Sequence, residues 1–173
     1  VSNFDTGFPN MRGYVPRSAG TLAEILRGRG YATFATGKWH LAPMEQCSAA
    51  GPFEHWPLQR GFDRYYGFLQ GETDQFYPEL TRDNTHIDPP SGPEDGYHVT
   101  ADIIDQSIGM IRDQKSLRPE QPFFLYCGFG ATHAPHQAPP EYLAKYRGRF
   151  DAGWDASREA TFARQKELGL SLI

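Results

Sequence analysis

Gly30-Tyr31-Ala32-Thr33-Phe34-Ala35-Thr36-Gly37-Lys38-Trp39-His40-Leu41 sets the architecture of the whole chain. A β-branched and aromatic run ends at Gly37 and then presents a lysine and a histidine. In α/β proteins, chemistry collects where buried strands release polar groups at their carboxyl ends. Residues i and i+2 of an extended segment share one side, so Lys38 and His40 are expected on one face and Trp39 on the other. An ammonium beside an imidazole makes a place for an anion. A bare Lys-x-His is also what a surface loop presents, because short motifs match by chance. The pair gains meaning only if the rest of the chain converges on it.

Upstream, Thr21-Leu22-Ala23-Glu24 is a capping box, and Leu22, Ile25 and Leu26 form an i, i+3, i+4 apolar stripe behind it. Gly28 and Gly30 close this helix, and a strand over Tyr31–Thr36 follows at once. Residues 1–17 show neither period and read as loop.

Downstream, residues 42–98 lack a long period. Phe53, Trp56, Phe62, Tyr65, Tyr66 and Phe68 make this segment dense in aromatics, with Gly61 and Gly67 between them. Aromatic surface dominates core burial, so packing is favoured over a base-stacking platform in an acidic chain. Residues 81–97 carry Asp83-Asn84, Asp88-Pro89-Pro90 and Gly92-Pro93, a turn-rich stretch of the kind that is a lid, a binding loop or disordered, and the sequence does not decide among them.

Thr100 caps a second helix, Ala101 to about Lys115, with Ile104, Ile108 and Ile111 as its apolar face and Ile103 and Met110 beside them. Pro119 and Pro122 stop it. Phe123-Phe124-Leu125-Tyr126-Cys127 is a short continuous apolar run, as expected of a strand buried on both faces. It empties into Gly128-Phe129-Gly130-Ala131-Thr132-His133-Ala134-Pro135-His136. Helix, buried strand and histidine-bearing loop thus occur twice. If the two strands lie parallel in one sheet, Lys38, His40 and His133 or His136 converge on one edge.

The tail holds a short helix from Pro140 to about Tyr146 and an amphipathic helix from about Ala156 to Leu168, ended by Gly169. The closing Leu170-Ser171-Leu172-Ile173 is apolar and strand-like, which suggests a chain that continues.

Composition narrows the function. At 173 residues the length suits about one domain, and 39 % hydrophobic with 14 % aromatic content supports a core. A net charge of −4 argues against nucleic acid or an acidic membrane surface as partner. Any anion site must therefore be a local concentration of positive charge. No apolar run approaches the ~20 residues of a transmembrane helix. Cys47 and Cys127 allow one disulfide at most and make no disulfide framework, which leaves the redox compartment undecided between bacterial cytoplasm and periplasm.

A lysine and histidines on one rim suit a sulfate or phosphate ester: a fixed point charge beside groups that exchange protons near neutral pH. At this point the motifs meet a family. Residues 30–41 resemble the second signature of the sulfatases. Pro122-Phe123-Phe124-Leu125-Tyr126 with Thr132-His133-Ala134-Pro135 is similar to the sulfatase strand and its histidine loop. Gly61-Phe62-Asp63-Arg64-Tyr65-Tyr66-Gly67-Phe68 and Gly71-Glu72-Thr73-Asp74-Gln75-Phe76-Tyr77-Pro78 resemble the larger bacterial arylsulfatases. Several motifs in one order, over nearly the whole chain, are far more specific than any one of them.

The resemblance implies an α/β protein with part of an alkaline-phosphatase-like (sulfatase) fold, a mixed sheet flanked by helices. It implies a sulfuric ester hydrolase that uses calcium and a formylglycine nucleophile on a small-molecule sulfate ester. Lys38 matches the lysine that bridges the sulfate and the formylglycine. His40 matches the histidine that assists regeneration of the formylglycine, and His133 the one that holds sulfate near the leaving oxygen. His136 falls at a usually apolar position, and a zinc site with His133 lacks further ligands.

The departures are equally specific. Cys47 is followed by Ser48-Ala49-Ala50-Gly51 and Cys127 by Gly128-Phe129-Gly130-Ala131, so neither fits the C/S-x-P-x-R motif from which formylglycine is made. Ser91-Gly92-Pro93 is followed by Glu94 and Asp95, with no arginine. The calcium-binding aspartate pair is missing, and Asp83-Asn84 comes too early to be the later Asp-Asn pair. Residues 1–173 are therefore expected to be the central part of a sulfatase catalytic domain, inactive alone, with no metal ligand of its own. Phosphonate or phosphodiester hydrolysis in the same superfamily, or a non-catalytic anion-binding module, are the competing readings.

Overall fold

The computed structural model describes residues 13–170, which fall into two compact units dividing after Gln137. The first unit is built on a five-stranded sheet in the order β4-β3-β2-β1-β5. Its strands are β1 (Ala32–Lys38), β2 (Arg64–Phe68), β3 (Leu80–Arg82), β4 (Thr85–Ile87) and β5 (Phe123–Gly128). β1 lies between β2 and β5 and runs parallel to both, while β3 and β4 add on antiparallel. The sheet is mixed, and the carboxyl ends of β1, β2 and β5 share one edge.

Helix α1 (Leu22–Arg27) starts as the sequence dictates. The Thr21 side chain accepts from the Glu24 N–H, and the Glu24 carboxylate accepts from the Thr21 N–H. At its end Gly30 adopts a φ of +85°, and the Tyr31 N–H reaches back to the Leu26 carbonyl. The expected apolar stripe is not what the helix buries. Ala23 faces the core, whereas Leu22 and Ile25 are 56 % and 58 % exposed. The small residue wins because the chain from Trp56 to Phe62 lies close: a Cβ built on Gly61 would collide with the Glu24 backbone.

Each face of the sheet has its own core. Phe34, Tyr66, Phe68 and Leu80 pack with Val99, Ile103 and Met110 of helix α2 (Val99–Leu117). Ala35 and Trp39 pack with Ala23, Trp56, Phe62, Tyr65 and Leu69 on the opposite face. The aromatics of residues 53–68 are thus packing, as expected, and burial of such side chains stabilises by roughly 1.5–3 kcal/mol each.

α2 is longer and rotated relative to the sequence expectation. His98, not Thr100, caps it, its side chain accepting from the Thr100 N–H. The buried line is Val99, Ile103, Ser107 and Met110, while Ile104 and Ile108 are exposed. Ser107 is accepted in the core because its hydroxyl is satisfied. It donates to the Ile103 carbonyl at 2.7 Å and lies 2.8 Å from the Thr36 hydroxyl, which must then be the donor to it.

β2 and the β3–β4 hairpin occupy the region without a long period. Asp83-Asn84 is the two-residue hairpin turn, with Asp83 at φ +55° and its Oδ1 accepting from the Tyr65 N–H, so its chemistry is structural. β5 is half-buried and stands at the sheet edge among the described residues, not buried on both faces. The second unit contains α3 (Pro140–Ala144) and α4 (Gly153–Glu167), neither with a buried residue. The apolar close over residues 171–173, like most of the loop over 1–17, lies outside the described residues. No described helix is long and apolar enough to cross a membrane.

Candidate functional site

A row of glycines carries the site. Gly37 of β1 is in register with Gly67 of β2 and with Gly128 of β5. Gly37 has a φ of +89°, and a Cβ on it would run into the Gly128 carbonyl. Backbone alone fits here, which lets the three strands release their loops side by side.

The loops after β1 and β2 stay joined beyond the strands. The Trp39 N–H donates to the Phe68 carbonyl and the His40 N–H to the Leu69 carbonyl, each at 3.0 Å. Trp39 turns into the core, where its indole N–H donates to the His55 carbonyl at 2.8 Å. His40 departs from the extended alternation the sequence suggested, with a φ of +52°. That left-handed turn is uncommon outside glycine, with asparagine, aspartate and histidine the side chains most often found there.

His40 and His133 share a cleft. Both line one cleft of about 500 Å³ together with Met44, Gln70, Gly71, Glu72, Thr73, Asp74, Tyr77 and Glu79. Lys38, half-buried at the end of β1, acts on His40 through its charge and is not part of the cleft lining. Burial, then the Lys38 ammonium, then His133, holds the His40 imidazole below its ordinary range. Of the three residues expected to converge, His40 and His133 line the cleft, whereas Lys38 stands outside its lining at the end of β1.

His133 sits on the loop after β5, whose turn is closed by its N–H to the Gly130 carbonyl. Its Nδ1 lies 2.9 Å from the Ala134 carbonyl, which can only accept, so Nδ1 carries the proton and Nε2 is left for a ligand. Glu72 Oε2 is 3.4 Å from the same Nδ1. His136 is exposed and is not a lining residue of the cleft.

Gly71 and Glu72 are site residues to which the sequence reading gave no chemistry. The only signal was their place in the stretch from Gly71 to Pro78, and nothing local distinguishes a glycine that backs a histidine. Asp74 is organised rather than free: it accepts from the Phe76 and Tyr77 N–H groups and from the Gln137 amide, which holds its carboxyl below the usual range. Among the described residues, no group of three or more His, Cys, Asp or Glu is placed to hold a metal.

A parallel-stranded edge with two histidines in its cleft and a lysine at the end of β1 defines an α/β protein with its polar residues gathered at the strand ends. The sulfatase family model matches residues 1–169, and the chain belongs to the sulfatase family. An uncharacterized sulfatase of Schizosaccharomyces pombe is 33 % identical over 176 residues, covering 95 % of this chain and 30 % of that protein. An arylsulfatase of Klebsiella aerogenes is 29 % identical over 162 residues, covering 87 % of this chain and 32 % of that protein. The chain thus spans about a third of the length of these curated relatives. Among solved structures, Ps i-CgsB in complex with k-i-k-neocarrahexaose superposes with a TM-score of 0.62 at 27 % identity, over 76 % of this chain and 31 % of that one. The architecture is part of an alkaline-phosphatase-like (sulfatase) fold, as the motifs implied.

Proposed function

We propose that this chain forms one wall of the active site of an arylsulfatase-type sulfuric ester hydrolase, within the central part of its catalytic domain. The reaction converts a small-molecule sulfate ester and water to an alcohol or phenol and sulfate. The observation that carries the reading is that His40 and His133 line one cleft, with the Lys38 charge acting on His40, in a sulfatase-family chain.

Each residue then has a task suited to its state. Lys38 supplies a fixed positive charge to the sulfuryl oxygens. His133, its Nδ1 proton directed to Ala134, donates to the anion beside the leaving oxygen from Nε2 in its imidazolium form, in which both ring nitrogens carry protons. His40, kept below its ordinary range, is neutral near pH 7 and fit to take up a proton. Positive groups fixed where negative charge develops usually make the largest single contribution to catalysis.

Calcium and formylglycine are the family's expected partners for this wall. The described residues offer no metal cluster, and neither cysteine stands in C/S-x-P-x-R. The described residues do not fit calcium and the sequence does not supply the formylglycine motif, so the share of the chemistry proposed for this wall is anion binding, orientation and proton handling. The isolated 173-residue chain is expected to show no turnover.

The test compares hydrolysis of an aryl sulfate and of the matching aryl phosphonate monoester by the complete polypeptide. Preferential turnover of the sulfate ester supports the proposal. Preference for the phosphonate assigns the site to the related hydrolases, and turnover of neither makes it a non-catalytic anion-binding module.

A further inference from the structure

Resting on this reading of the cleft, we propose that Gly71 is the positioning residue for His40: its missing side chain is the space in which the imidazole lies. A Cβ built on Gly71 would stand 2.7 Å from His40 Cε1, 2.8 Å from Nε2 and 3.1 Å from Nδ1. Three ring atoms at such similar distances mean that Gly71 lies against the imidazole face rather than touching its edge. No side chain fits at that separation without moving something.

The ring is what would move. His40 is held from behind by its own backbone: its N–H donates to the Leu69 carbonyl, two residues before Gly71, at 3.0 Å. That bond fixes the His40 Cα relative to the loop carrying Gly71. The left-handed φ of +52° further restricts the direction in which the side chain can leave the backbone. Gly71 itself is outside the left-handed region, so the position requires glycine for space and not for conformation. The neighbouring loop thus sets the imidazole through an absence of atoms.

The experiment is a double-mutant cycle in the complete polypeptide, using Gly71→Ala, His40→Ala and the pair. Aryl sulfate turnover, inorganic sulfate as competitive inhibitor and thermal unfolding are the measurements. Gly71→Ala is expected to lower kcat/KM about 10–100-fold, in keeping with the cost of a misplacement on the ångström scale, and to lower Tm by a few degrees. In the His40→Ala background, where the ring is gone, the added methyl should change neither kcat/KM nor Tm. Sulfate inhibition should follow the same non-additive pattern. Equal costs of Gly71→Ala in both backgrounds would overturn the positioning role, since the methyl would then act on something other than the ring. A His40→Ala variant with unchanged turnover and sulfate affinity would instead overturn the reading of the cleft. In that event the Tm cycle still reports whether Gly71 makes room for the ring.

Discussion

Gly37 and Gly128 face one another across β1 and β5 with no room for a side chain on Gly37. This close approach, repeated where Gly67 meets the Gly37 backbone, brings the strand ends together at the cleft. Gly37→Ala combines a left-handed backbone with a collision against main chain, and neither can relax by a rotamer change. A loss of about 3 kcal/mol or more is expected, read by chemical denaturation or as loss of soluble protein. Retention of wild-type stability would mean that the glycine row is dispensable.

His40 should report its neighbours by its titration. Burial, Lys38 and His133 hold its imidazole below 6.5 in the folded protein. The unfolded chain therefore binds more protons between the folded value and about 6.5. The contribution to stability is fully present above that range and is lost as pH falls through it. Lys38→Met removes one of the causes, so the His40 ring signals should titrate at higher pH by NMR. An unchanged midpoint would show that the Lys38 charge does not reach His40.

Cys47 is predicted to be inert at neutral pH. Burial, with the Glu45 carboxylate adding to it, pushes its thiol up to about 11. Its Sγ lies 3.4 Å from the Pro43 carbonyl, which stabilises the protonated form further. Alkylation should be slow at pH 7–8 and accelerate as pH approaches that value. Rapid modification of Cys47 at pH 7 in the folded protein would contradict this placement.

Arg60 is the buried cation that joins α1 to the core. It donates to the Val15 and Ala19 carbonyls at 2.7 and 2.8 Å and to Glu24 Oε1 at 3.2 Å. Arg60→Met keeps much of the volume and leaves those acceptors without their donor, at an expected cost of about 2–4 kcal/mol. The His133–Glu72 pair makes the contrast. With side chains 44 % and 62 % exposed, its loss in Glu72→Gln should change stability by less than about 1 kcal/mol. Denaturation midpoints of the two variants compare the predictions directly.

What was legible in the sequence was what local rules govern. The Thr21 and Glu24 capping box, β1, β5 and the turn at Gly30 all follow from neighbouring residues. The expectation that Lys38, His40 and His133 or His136 share an edge rested on one assumption, parallel strands, which the sheet satisfies; His40 and His133 line the cleft, and Lys38 and His136 do not. β2 was missed because Arg64–Phe68 has aromatics on both faces, Tyr65 in one core and Tyr66 in the other, so no alternation betrays it. The face of α2 was misjudged because Ser107 and Asp102 are buried through hydrogen bonds that only tertiary structure supplies. Asp102 accepts from the Tyr66 and Tyr97 hydroxyls at 2.5 and 2.8 Å, partners far away or out of pattern in sequence. Gly71 was invisible for a related reason, since a required absence of atoms leaves no pattern.

The central claim is that Lys38 and His133 act on a sulfuryl group. Its most direct measurement is kcat/KM for an aryl sulfate with the complete polypeptide and its Lys38→Ala and His133→Ala variants, each confirmed to be folded. Each substitution removes a positive or donating group aimed at developing negative charge, and a loss of about 10²–10³-fold is predicted for each. Turnover at the wild-type level in both variants would contradict the account.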